Sequence, residues 1–92
     1  MAAVVYKYRI ETLSPFTVSM SANARVLSAQ MNHGTAYMWA LTREEDKLID
    51  RVFYLVGTGN QLPDSAIHNW KYISTFQMKD GNILAHLFEE VS

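Results

Sequence analysis

Ala36–Val56 reads AYMWALTREEDKLIDRVFYLV, two apolar runs around one charge-dense connection. In Ala36–Leu41, Ala36, Met38 and Ala40 alternate with Tyr37, Trp39 and Leu41. In Arg51–Val56, Arg51, Phe53 and Leu55 alternate with Val52, Tyr54 and Val56. A period of two residues is that of a strand. An antiparallel sheet with one wet face should separate apolar from polar residues, and these runs are apolar on both sides. Ile83–Glu89 repeats the pattern, with Leu84, His86 and Phe88 against Ile83, Ala85 and Leu87. Such strands need cover on two sides, from their own domain or from a second copy. A chain of 92 residues has few elements to spare, so a homo-oligomer is expected. Between the two runs, Thr42–Lys47 reads as a solvated loop or one helical turn joining two strands, in preference to a short helix capped by Thr42 with Glu45 three residues on.

The rest of the chain follows the same rhythm. Val4–Ile10 places Val4, Tyr6, Tyr8 and Ile10 on one side and Val5, Lys7 and Arg9 on the other. Phe16–Met20, Val26–Met31 and Tyr72–Met78 complete seven short strands. Turn chemistry sits between them at Ser14-Pro15, Asn32-His33-Gly34-Thr35, Gly57-Thr58-Gly59-Asn60, Pro63-Asp64 and Asp80-Gly81. Ser21–Arg25 is a polar connection, and Ser65–Trp70 has room for a short helix. The expected fold is mainly β: a single domain over residues 1–92, a small antiparallel sandwich or partly open barrel with at most one or two short helices.

Composition narrows the function classes. With no cysteine, disulfides, CxxC redox chemistry and thiolate zinc sites are excluded, and a reducing compartment is expected. The net charge of −1 argues against a nucleic-acid partner. No apolar stretch approaches a membrane span, so no membrane partner is expected. Charged residues make up 18% of the chain, below the roughly 25% usual in soluble domains. Apolar surface is therefore left over, which again favours association.

Nine residues are candidates for a ligand site. Gly57, Thr58, Gly59 and Asn60 end a strand where backbone N–H groups can form an anion-binding nest, although a plain glycine turn has the same sequence. Arg43 and Arg51 can grip phosphate in a two-pronged geometry. The plainer role for Arg43 is a solvated charge near Glu44, Glu45 and Asp46. Trp70, beside His68, Asn69 and Lys71, and Trp39 offer surfaces on which a planar base stacks, while packing is the ordinary role of Trp39. His86, between Leu84 and Phe88, is either a satisfied buried imidazole or a ligand contact. His33, His68 and His86 share no metal-ligand spacing, and neither a GxSxG elbow nor a paired-carboxylate pattern is present. No metal, no cofactor and no catalytic residue is expected, and a binding protein is favoured over an enzyme.

Phe16–Met20, Val26–Gln30, Trp39–Leu41, Val56–Gly59, Tyr72–Gln77 and Ala85–Glu89 together resemble an uncharacterised small-protein family common in tailed phages and prophages. Ser74 and Asn60 depart from that pattern, where glycine and histidine respectively are expected. The resemblance implies a phage origin, expression in the host bacterial cytoplasm and no essential cofactor, and it transfers no activity. By analogy of class, the expected function is sequestration, without cleavage, of a nucleotide-derived bacterial immune signal of the cyclic nucleotide or cyclic ADP-ribose type, counteracting host defence. The alternative is an interaction module that inhibits a host protein or assists phage assembly.

Overall fold

A computed structural model describes residues 2–78 and 83–91, so the Asp80-Gly81 hairpin signal lies outside the described residues. The strands are β1 (Ala3–Arg9), β2 (Phe16–Ser21), β3 (Arg25–Asn32), β4 (Thr35–Arg43), β5 (Leu48–Gly57), β6 (Trp70–Met78) and β7 (Ile83–Glu90). A five-residue helix, α1 (Ser65–Asn69), precedes β6. Two sheets form, β1-β4-β3 and β2-β5-β7-β6, and each neighbouring pair is antiparallel. The expected sandwich is what the chain adopts. The sheets do not join into a barrel; they meet along β3 and β6, where the Ser74 hydroxyl donates to the Ala29 carbonyl at 3.2 Å.

The core is made by contrast of size. The three-stranded sheet turns inward Ala29, Ala36, Met38 and Ala40; the four-stranded sheet turns inward Phe16, Met20, Phe53, Phe76 and Leu87. The buried apolar residues are thus mostly small on one layer and large on the other, with Tyr8, Val26 and Met31 of the three-stranded sheet packing around them. Phe16 and Phe53 face each other across the β2–β5 ladder and stack with centroids 5.8 Å apart.

The three strands with apolar residues on both sides, β4, β5 and β7, are interior to their sheets. Their inward residues fill the core. Their outward residues carry the features described below.

Two turns take definite form. Thr42 is not a helix cap. β4 runs on through Arg43, Thr42 is buried in the ladder, and residues 44–47 turn between the sheets, with the Asp46 N–H bonded to the Arg43 carbonyl at 3.3 Å. In the β3–β4 turn, Asn32 stays in the ladder opposite Thr35, and His33 (φ 51°) and Gly34 (φ 84°) take the two left-handed positions that a two-residue hairpin needs.

Candidate ligand-binding face

Arg51 lies between the sheets and is fully committed there. It points inward from β5, in line with Phe53. Its Nε donates to Glu89 Oε2 at 2.6 Å and its Nη2 to Glu89 Oε1 at 2.8 Å. Its Nη1 donates to the carbonyl oxygens of Ser21 and Ala24 at 2.7 and 2.8 Å, which pins the β2–β3 connection. The two side chains are 11% and 9% exposed. The guanidinium fork that the sequence offers to phosphate is thus spent on a structural carboxylate and two carbonyls.

The outward side of the four-stranded sheet is aromatic. Tyr54 of β5 stacks on Trp70 of β6 with centroids 3.8 Å apart, and Trp70 and Tyr72 both pack against Phe88 of β7 at 5.8 Å. Beside this cluster runs a chain of hydrogen bonds. Thr58 Oγ1 meets His86 Nε2 at 2.7 Å, His86 Nδ1 meets Thr75 Oγ1 at 2.9 Å, and Thr75 Oγ1 meets the Tyr72 hydroxyl at 2.8 Å. Both imidazole nitrogens are therefore occupied by threonine hydroxyls. Asn60 closes a turn on Gly57, with Gly59 (φ 87°) at the position that demands a left-handed backbone. The charges on this face are acidic: Asp50, and Glu90, which accepts a 2.8 Å bond from the Tyr54 hydroxyl. That bond holds the Tyr54 phenol above its ordinary pKa, with desolvation adding to it. No lysine or arginine takes an outward position on the described strands of this sheet.

The outward side of the three-stranded sheet has the opposite character. The alternating burial of β4 turns Tyr37, Trp39, Leu41 and Arg43 out. The ladders set them in cross-strand rows: Arg9, Tyr37 and Gln30; Lys7, Trp39 and Ser28; Val5, Leu41 and Arg25; then Ala3 and Arg43. Lys7 Nζ lies 4.5 Å from the centre of the Tyr37 ring, a cation–π contact, and Tyr37 and Trp39 are 6.4 Å apart. Of the eight lysines and arginines in the chain, Lys7, Arg9, Arg25 and Arg43 gather here. Acids border it as well, with Glu44 and Glu45 directly after Arg43 in the sequence. Glu11 approaches Arg9 at 3.9 Å in an exposed pair, and Asp46 is held by the Ser21 hydroxyl at 2.9 Å. At the β4 end the face opens into a cleft of about 490 Å³ bordered by Arg25, Arg43, Asn23, Leu41 and the acidic Asp46. Cations around half-exposed rings, next to a cleft, suit an anionic ligand with planar groups.

A family model described as Domain of unknown function (DUF7352) matches residues 1–92. The chain belongs to the DUF7352 family. No curated protein and no solved structure matches it. Among the described residues of this DUF7352 domain, no helix is long and apolar enough to cross a membrane, and no cluster of three or more His, Asp or Glu side chains is close enough to hold a metal ion.

In the DUF7352 fold, the nine sequence candidates fall in three places. Trp39 and Arg43 share the cationic face; Gly57, Thr58, Gly59, Asn60, Trp70 and His86 share the far side of the other sheet; Arg51 is between the layers. Sequence reasoning missed Lys7, Arg9, Arg25 and Tyr37. The signal for the first two was present in the alternation of β1, which already set Lys7 and Arg9 together on one side. What was missing was the neighbour of that side, the Tyr37–Trp39 strand.

Proposed function

We propose that this protein binds a nucleotide-derived ligand on the outward face of the three-stranded sheet and sequesters it without cleaving it. The observation that carries the reading is the gathering of Lys7, Arg9, Arg25 and Arg43 around Tyr37 and Trp39 on one sheet surface. Phosphate oxygens meet the cations, a base lies on the Trp39 ring, and the cleft beside Arg25 and Arg43 receives a further anionic group. Binding without turnover fits a face of donors and stacking surfaces on which the carboxylate bordering the cleft, Asp46, is engaged by the Ser21 hydroxyl. A role in a phage-infected bacterium, removing a cyclic nucleotide or cyclic ADP-ribose type immune signal in the host cytoplasm, belongs to the same proposal and rests on the family resemblance.

A second reading comes from the other sheet. Tyr72 and Leu84 are 56% and 43% exposed along its outer side. That surface suits contact with another protein or with a second copy of the chain, and self-association is part of the proposal.

Native mass spectrometry after incubation with a panel of cyclic dinucleotides and ADP-ribose compounds tests both. The expected result is associated chains carrying an intact nucleotide that is released unchanged on heating. No uptake across the panel removes small-molecule sequestration, and a lone chain removes self-association.

A further inference from the structure

We infer that the same face takes a single-stranded polynucleotide, several residues long, in preference to an isolated nucleotide. The inference rests on the reading of that face as a phosphate and base site, and it goes further in naming the ligand class. It also reverses the expectation drawn from net charge.

The first argument is extent. The cations are spread along the sheet, one in each row from Arg9 through Lys7 and Arg25 to Arg43. From Arg9 to Ala3 along β1 is about 20 Å. A mononucleotide placed on Trp39 reaches the neighbouring rows and leaves the outer cations unused. A strand laid along the sheet passes all four.

The second is the kind of surface. Tyr37 and Trp39 occupy the central strand, where rings accept bases from either edge. Stacking requires the flat face of a base, which is open in a single strand and closed in a duplex. Gln30, Ser28 and Asn23 add uncharged hydrogen-bonding groups beside the rings and the cleft. Every base has a π-face, so such a surface tolerates many sequences.

The third is charge asymmetry. A net charge of −1 conceals a cationic outer face on one sheet and an acidic one, with Asp50 and Glu90, on the other. An approaching polyanion responds to this local field and is turned toward the three-stranded sheet.

The test is fluorescence anisotropy with labelled oligothymidylate and oligouridylate of two, four and eight nucleotides, a duplex of equal length, free mononucleotide as competitor, and anionic lipid vesicles. Affinity should climb from dinucleotide to octanucleotide, and the octanucleotide should outbind the duplex in at least one of the two sugar series. Four cations on a single strand give a slope of log affinity against log salt of about −3, and the double variant Lys7→Gln/Arg25→Gln should flatten it by about 1.4. Trp39→Ala should weaken octanucleotide binding about 5- to 150-fold, Trp39→Phe should restore part of it, and Lys71→Gln should leave it unchanged. Mononucleotide binding as tight as the octanucleotide overturns this inference while the proposed function stands. Absence of binding to any of these species overturns the inference, and overturns the proposed function too when the cyclic dinucleotide and ADP-ribose panel also fails. Binding to vesicles alone, preference for the duplex, or an undiminished affinity in a folded Trp39→Ala variant overturns the inference.

Discussion

Glu89→Ala is expected to lower the free energy of unfolding by about 3–5 kcal/mol, measured by urea or thermal denaturation. The carboxylate is one half of a two-pronged pair whose side chains are nearly closed to water. Its removal leaves the Arg51 cation between the layers, with only the carbonyls of Ser21 and Ala24 as partners. A small domain has about 5–15 kcal/mol in total, so this variant sits near the edge of folding. The reciprocal change, Arg51→Ala, should cost a similar amount and also free the β2–β3 connection. Replacing both partners by apolar side chains of similar volume, Arg51→Met with Glu89→Leu, should recover most of the loss, because no charge is then stranded. A single substitution that costs less than about 1 kcal/mol would mean that the pair is as weak as a surface one.

Phe53→Ala is expected to cost about 3–5 kcal/mol by the same measurement, through a different cause. Phe53 is fully enclosed and stacks on Phe16 from the centre of the inward layer. The buried apolar residues of the other sheet are alanines and Met38, and its larger Tyr8, Val26 and Met31 are only partly buried, so collapse into the space is incomplete. The loss is then transfer free energy plus a retained cavity. Phe88→Ala, on the outer side of the same sheet, is the comparison: partly exposed, it leaves no closed cavity and should cost less. Equal losses at the two sites would place the core on the wrong side of the sheet.

The strands were legible in the sequence because their alternation is local. Phe16, Met20, Met38, Phe53 and Leu87 all fall on the side that the period of two assigns. The pairing of strands was not legible. β1 pairs with β4, with partners from Arg9 and Tyr37 to Ala3 and Arg43 far apart in sequence, and nothing in Val4–Ile10 names that partner. Charge followed the same division. Counting lysines and arginines over the whole chain discards the side on which each one sits, and the side acquires meaning only when Arg9 is set opposite Tyr37 and Lys7 opposite Trp39. Arg25 was hidden for a simpler reason: it begins β3 where the sequence reads as connection.

Arg51 and Glu89 illustrate the converse. A cation in step with Phe53 and Leu55 points into the core, and a cation there demands a carboxylate. Glu89 and Glu90 are adjacent acids in the sequence. The β7 alternation sends Glu89 inward and Glu90 out, one to Arg51 and the other to Tyr54. The glycine turn at Gly57–Asn60 was correctly placed at a strand end. Its threonine is drawn toward His86, with an acidic and aromatic sheet surface around it.

The most direct test of the binding face is an NMR titration of isotope-labelled protein with an unlabelled single-stranded octanucleotide. The shifts are expected to concentrate on the amides of Lys7, Arg25, Tyr37 and Arg43 and on the Trp39 indole, while the Trp70 indole and the Tyr54 and His86 amides stay in place. Shifts centred instead on Trp70, His86 and residues 57–60, or a spectrum unmoved at saturating ligand, would contradict it.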